Sequence, residues 1–333
     1  MIGNYGDVPM SMSMNYSFSL LILMVLLSIG SIRVNAEGAY QSHTLQNQLE
    51  NMARISTSDG WFEVIKLPND VFAFHEPGHS EKVNSFLILG EKKDLLYDTG
   101  MGIASIKTAI TEVRKAEGLP ERELMVLNSH AHLDHIGGNS EFEKIHVFEH
   151  EWTVRKLTEG IPEGSELWVE YYRALTPPPN PPSGFSPETM SVNPISRENI
   201  RYIHHGDVID LGNRTFSVIL SKSHTVDSLI LYDAENKLLF TGDAFVPAAF
   251  YVSDIEELHK DMEMLSGLTV DYHYNTHGPQ LLDPELRLDV LRAAEKISHQ
   301  EVEAQEIEFF GGKREVYEVD GFMFLYMPDF LMY

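Results

Sequence analysis

The sequence predicts a layered α/β sandwich, and three observations carry the prediction. Short apolar runs divided by turn residues recur in two blocks, each followed by segments of helical spacing. Several acidic and histidine residues stand directly after such runs, where open α/β sheets place their functional groups. No short-period repeat or low-complexity tract competes with this pattern. In order, Phe62–Leu67, Val71–His75, Val83–Leu89 and Leu95–Tyr97 read as strands of an antiparallel or mixed sheet. Ile103, Ile106, Ile110 and Val113 keep helical spacing, and Gly118 and Pro120 end that helix. Leu124–Leu127 and His146–Phe148 follow as strands.

Residues 151–201 break the rhythm with two helical stretches and the proline-dense run Pro177–Phe185. That run reads either as a stiff surface connection or as a lid, with Trp168, Tyr171, Tyr172 and Phe185 nearby. The strand rhythm then resumes at Phe216–Leu220, Leu229–Tyr232, Leu238–Thr241 and Val270–Tyr274. Helices are expected over about Asp254–Leu268 and Pro284–Ile297, the second with Asp283 as N-cap and proline at its first position. The chain closes with a strand meander turning at Gly311-Gly312 and Asp320-Gly321.

With 333 residues, 43% of them hydrophobic, residues 61–333 suffice for one large domain with a substantial core. There is no cysteine, so disulfides, thiolate nucleophiles and thiolate metal sites are excluded. Fifty acidic residues against 25 basic ones give a formal charge of −25, which repels phosphate backbones and argues against nucleic acid as a partner. Residues 1–36 stand apart. Phe18–Ile32 is an apolar run too short for a comfortable membrane span, followed by the small-residue site Val34-Asn35-Ala36. The expectation is a secretory signal peptide and a secreted or periplasmic protein. The alternative is an uncleaved N-terminal anchor on the extracytoplasmic side of a membrane. Residues 37–60 read as a flexible polar lead-in.

The densest chemistry lies in Ser129-His130-Ala131-His132-Leu133-Asp134-His135-Ile136-Gly137-Gly138-Asn139, just after the run Leu124–Leu127. His130 and His132 are two apart and point the same way in an extended segment, while Asp134 and His135 can aim at a second point. Such spacing suits two metal ions side by side better than one. Asp98, His224, Asp243 and His277 share one placement, each following an apolar strand. The remaining histidines are less suggestive. His204, His205, His259 and His299 lie in polar surroundings, His273 alternates within a strand, and nothing in the spacing of His75, His79, His146 or His150 assigns them.

This set resembles the metallo-β-lactamase superfamily, from about Trp61 to His277 and in the right order. His130-x-His132-x-Asp134-His135 matches its signature, and Asp98-Thr99-Gly100 its earlier aspartate. His224-Thr225, Thr241-Gly242-Asp243 and His277-Gly278 match its later positions. The resemblance implies a four-layer αββα sandwich of two mixed β-sheets flanked by helices. It also implies that His130, His132 and His224 hold one metal, that Asp134, His135 and His277 hold the second, and that Asp243 bridges. Asp98 would stand behind them, fixing the tautomer and angle of a ligating histidine. One departure bears on the local turn: the family usually has Pro-Gly ahead of the later histidine, and Lys222-Ser223 stand there, from which an altered turn and a lysine reaching the pocket rim are expected.

Two divalent ions about 3.5–4 Å apart share one water and lower its pKa from 15.7 toward about 7. Asp134, ligated and adjacent, would orient the resulting hydroxide. Zinc fits best, two per chain, and iron or manganese is compatible with all-nitrogen-and-oxygen ligation. Asp243 is informative as to substrate. The superfamily's true β-lactamases usually have Cys or Ser at the matching position, whereas its glyoxalase II-like and lactonase-like branches have Asp. Glyoxalase II carries a helical C-terminal region, but the residues after Glu301 look like strands. The expectation is therefore a dinuclear hydrolase in which a metal-bridging hydroxide attacks the carbonyl of a small ester, lactone or thioester. A phosphoesterase using the same site, or a β-lactamase, is the alternative. If residues 1–36 are a cleaved signal, intact-mass measurement of the native protein will show an N-terminus at or near Glu37. Retention of those residues in a membrane fraction would favour the anchor.

Overall fold

A computed structural model of the chain describes residues 46–165, 169, 171–173, 181–247, 249–309 and 312–328. The N-terminal apolar run, Trp168, the Pro177–Asn180 part of the proline-dense run and the Gly311 turn position lie outside the described residues. Strands β1 (Arg54–Ser56), β2 (Glu63–Leu67), β3 (Val71–His75), β4 (Asn84–Ile88), β5 (Lys93–Tyr97), β6 (Glu123–Leu127), β7 (Ile145–Phe148) and β8 (Ile200–Ile203) form one eight-stranded sheet in sequence order. Its first five strands run antiparallel and the last four run parallel, β5 belonging to both sets. A second sheet has the order β15-β14-β12-β11-β10-β9. Its strands are β9 (Val208–Asp210), β10 (Thr215–Ser221), β11 (Ser228–Asp233), β12 (Leu238–Phe240), β14 (Tyr272–Tyr274) and β15 (Leu281–Leu282). Only its β12–β14 pair is parallel, so both sheets are mixed.

The two sheets bury one shared core, which explains the near-continuous apolar runs. Leu95 and Tyr97 of β5 meet Phe216, Leu229, Leu231 and Phe240 between the sheets, while Leu96 points to the opposite face. There it packs with helices α2 (Ile106–Glu117) and α4 (Glu151–Glu159). Ile230 of β11 likewise faces away from Leu229 and Leu231, toward α5 (Ile255–Ser266) and α6 (Leu286–Ser298). Strands covered on both faces have no polar side to show. The order helix, sheet, sheet, helix is the four-layer sandwich that the sequence led us to expect.

Local chemistry sets the helix ends. Ser105 caps α2 by accepting the Thr108 N–H at 3.1 Å, and Gly118 ends it at φ 65°. Asp254 caps α5 through the Glu256 and Glu257 N–H groups. Helix α6 differs from the expectation of an Asp283 cap and Pro284 first position: it begins at Leu286 with Glu285 at the N-cap and no side-chain cap bond, and Asp283 instead closes the preceding turn by accepting the Glu285 N–H at 2.9 Å.

Several elements differ from the sequence expectation. The supposed flexible lead-in carries, from Gln46, a short helix α1 (Gln46–Glu50) and strand β1, which pairs with β2. Residues 151–201 end by supplying the start of edge strand β8. A third, four-stranded sheet joins the closing meander β16 (Gln305–Phe309), β17 (Gly312–Val319) and β18 (Phe322–Tyr326) to β13 (Phe250–Val252). β13 runs parallel to β18 and brings Phe250 and Val252 into the core over α5 and α6. The expected Asp320-Gly321 turn is present, with both residues at positive φ, as a tight hairpin requires. The short strands escaped notice because three or four residues, partly exposed, carry little periodicity. Among the described residues no helix is long and apolar enough to cross a membrane.

Phe240 lies at the centre of the inter-sheet core, stacked on Tyr274 at 4.2 Å and met edge-on by Phe86, Tyr97 and Phe216. Phe240→Ala is expected to cost about 3–5 kcal/mol, read as a lower urea midpoint with an unchanged m-value. A loss under about 1 kcal/mol would mean that this core is not closely packed.

Candidate metal centre

The sheets deliver their functional groups to one edge of the sandwich. β6 ends at Leu127, and Ser129 pairs across to the second sheet by accepting the Leu229 N–H at 2.7 Å. His130 follows in a bend and His132 in extended backbone, and a four-residue helix α3 (Leu133–Ile136) turns Asp134 and His135 inward. Gly137 lets this turn lie against the Met101–Gly102 backbone: a Cβ there would fall 2.3 Å from the Met101 carbonyl carbon. Gly242, at φ 52°, does the same for Asp243, since its Cβ would lie 2.8 Å from that of Ser129.

All seven residues singled out as ligands converge. His130, His132, His224 and Asp243 form one group of potential metal donors, and Asp134, His135 and His277 form a second. His130 Nε2 and His224 Nε2 face His132 Nδ1 at 2.9 and 3.1 Å. Asp134 Oδ2 lies 3.5 Å from His135 Nε2 and 3.6 Å from His277 Nε2. Asp243 stands between the groups. Its Oδ2 is 3.1 Å from His277 Nε2, 3.7 Å from His224 Nε2 and 3.8 Å from His130 Nε2, and its Oδ1 is 3.4 Å from His135 Nε2.

The outer hydrogen bonds decide what these rings present inward. His224 Nδ1 donates to the Tyr251 carbonyl at 2.9 Å and His277 Nδ1 to the Glu81 carbonyl at 2.8 Å, because a carbonyl can only accept. Ser129 gives its hydroxyl proton to Asp98 Oδ2 at 2.8 Å, so its oxygen accepts from His130 Nδ1 at 2.9 Å. Asp98 Oδ2 also accepts from His135 Nδ1 at 2.9 Å. When neutral, rings so held aim four Nε2 lone pairs at a pocket that also contains two carboxylates. Lone pairs cannot satisfy one another at these distances, and a cation satisfies them all. The donor set therefore fits divalent metal.

Electrostatics agree. Burial, reinforced by neighbouring rings, holds His130 and His132 well below the ordinary histidine pKa. Burial also pulls His277 down, but the Asp243 carboxylate outweighs it and lifts the ring to about 9.

Asp98 is fully buried at the end of β5, at φ 66°, and holds Ser129 through its N–H at 2.6 Å and its hydroxyl. One carboxylate thus braces a ring in each group, His135 directly and His130 through Ser129. Sequence reasoning missed the other supports. Thr276 donates to Asp243 Oδ1 at 2.8 Å, and Asn128 donates to the His135 carbonyl at 3.0 Å. Backbone carbonyls of Tyr251 and Glu81 leave no mark in sequence. Lys222 is exposed, whereas Ser223 is buried. Of the other histidines, His273 is packed against Thr241, and His75 pairs with Asn84. His79 Nε2 meets the Tyr171 carbonyl at 2.9 Å, docking part of the 151–201 segment on the β3–β4 loop.

A profile of the Metallo-beta-lactamase superfamily matches residues 81–304. The chain belongs to that superfamily. Acyl-coenzyme A thioesterase MBLAC2 from Gallus gallus is 31% identical over 190 residues, covering 55% of this chain and 65% of the relative's length. The protein of the same name from Homo sapiens is 27% identical over 253 residues, covering 70% of this chain and 85% of its own. A beta-lactamase domain protein from Burkholderia ambifaria, a crystal structure, superposes with a TM-score of 0.53 at 19% identity. It covers 74% of this chain and 79% of that one, which supports the fold alone.

Close to the site, Glu76 accepts from Trp61 Nε1 and from the Met101 N–H at 2.9 Å, supporting the turn that follows Asp98. Burial pushes its carboxyl up from 4.5 to about 7 despite both donors. The folded chain therefore binds this proton more tightly than the unfolded one, and Glu76's contribution to stability is lost as pH rises through about 7. Glu76→Gln is expected to stabilise the metal-free protein relative to wild type increasingly from about pH 5 to about pH 8. Urea unfolding across that range checks it, and a pH-independent difference would refute it.

Proposed function

We propose that the protein is a metal-dependent thioester hydrolase with two divalent ions at this centre. The observation that carries the reading is Asp243, one carboxylate facing donors of both groups. Hydrolase chemistry follows from superfamily membership, and the thioester class follows the names of the MBLAC2 relatives. His130, His132 and His224 would hold one ion and Asp134, His135 and His277 the other, with Asp243 shared. Zinc suits this nitrogen-rich set. Bound there, the pair supplies Lewis acidity that activates water at neutral pH and polarises the thioester carbonyl.

The chain's own groups do the positioning. Asp98 keeps the proton of His135 on Nδ1, and the Tyr251 and Glu81 carbonyls do so for His224 and His277. Thr276 engages Asp243 Oδ1, which fixes the rotation of that carboxylate and aims Oδ2 between the groups. Asp134 is the carboxylate placed to orient the attacking water. Attack by the activated water on the carbonyl needs no acyl-enzyme, and the chain has no cysteine thiolate to form one.

A panel of acyl-CoA thioesters, lactones, aryl esters, a chromogenic cephalosporin and aryl phosphodiesters tests the substrate class. Thioesters are expected to show the highest kcat/KM. Turnover of the phosphodiester or cephalosporin without thioester cleavage would overturn the reading. Asp243→Ala is expected to lose turnover by about a hundredfold or more, equivalent to roughly 2.7 kcal/mol of transition-state stabilisation. Near-normal turnover in that variant would remove Asp243 from the shared position.

A further inference from the structure

His224 is the ligand candidate whose local sequence departs from the family pattern, with Lys222-Ser223 where Pro-Gly is usual. Ser223 is not among the residues at positive φ, so the turn does not use a glycine's freedom. Something else must hold it. β10 ends at Ser221, and Asp261 of helix α5 reaches across to this end. Its Oδ2 accepts the Ser221 hydroxyl and, at 3.1 Å, the Ser223 N–H. From the other side, Ser253 donates to the Ser223 carbonyl through its N–H at 2.7 Å and its hydroxyl at 3.2 Å. The Ser253 hydroxyl also lies 3.3 Å from the Lys222 carbonyl. Both backbone polar groups of Ser223 are thus pinned, and two residues before Ser253 the Tyr251 carbonyl takes the His224 Nδ1–H.

Asp261 is an odd residue for its place. It sits on the buried stripe of α5 with Leu258, Met262 and Leu265, only 6% exposed. Among the described residues no Lys, Arg or His side chain forms an ion pair with it. A carboxylate buried without a cation is costly, and an apolar side chain would serve the packing better. What the carboxylate adds is two acceptor contacts to the turn that carries His224. We infer that Asp261 is a positioning residue that sets the aim of His224, replacing with a side-chain clamp the rigidity that Pro-Gly would provide. The inference rests on the reading of His224 as a ligand of one ion, and it predicts an asymmetric effect, because His135 and His277 take their outer contacts from Asp98 and Glu81 instead.

The test is stepwise zinc binding to the full chain, stripped with a chelator and titrated against a chromogenic competitor. Asp261→Ala is expected to weaken one of the two binding steps by about 10–100-fold and leave the other within about twofold. Asp261→Asn, which keeps an acceptor oxygen at the same place, is expected to recover most of the loss. If Asp261→Ala does not fold, Asp261→Asn and Ser221→Ala carry the comparison, with a smaller effect confined to the same step. Two unchanged steps would overturn the inference. So would equal weakening of both together with a lower melting temperature of the ion-free protein, which is what a purely structural strut would produce. Because no substrate is involved, wild-type protein binding two ions with Asp261 variants unaffected sinks only this inference. Wild-type protein showing no second binding step would sink the two-ion reading on which it rests.

Discussion

The centre depends on which way its imidazoles face. His130, His135, His224 and His277 each spend one ring nitrogen on an acceptor behind it: Ser129 Oγ, Asp98 Oδ2, the Tyr251 carbonyl and the Glu81 carbonyl. Four inward lone pairs follow from those four outward bonds. The architecture around them makes the bonds available. Asp98 and Ser129 leave adjacent parallel strands β5 and β6, so one carboxylate can reach both histidine groups. Tyr251 lies on β13, and Glu81 on the loop that bridges to His277 through the Val83 pairing. Without the two packed sheets these acceptors would be scattered among solvated loops, and each ring could rotate.

The sequence pointed to the residues that converge in the pocket because its signal is local. His130, His132, Asp134 and His135 lie within six residues, and their alternation translates directly into direction. The later members, His224, Asp243 and His277, were found by their shared position after apolar runs; β12 is buried throughout, whereas β10 opens with exposed Thr215 and Ser217 alternating with buried Phe216 and Val218. The supports were harder to see. Thr276 and Asp261 are ordinary residues until the fold brings them to Asp243 and Ser223, and a backbone carbonyl has no residue type at all.

The third sheet was missed for a related reason. β17 and β18 show themselves as a hairpin by alternation and by Asp320-Gly321, but their partner β13 is three residues long and distant in sequence. Nothing local announces a parallel pairing of that kind. Its consequence reaches the candidate metal centre, since β13 places Tyr251 and Ser253 against the turn at His224. The closing meander thus helps to hold His224 in place.

The most direct measurement is anomalous scattering at the zinc edge from crystals of the protein prepared without chelator. The account predicts two peaks per chain, one among His130, His132 and His224 and one among Asp134, His135 and His277, with Asp243 between them. A single peak in fully active protein, or two peaks with Asp243 turned away from both, would contradict it.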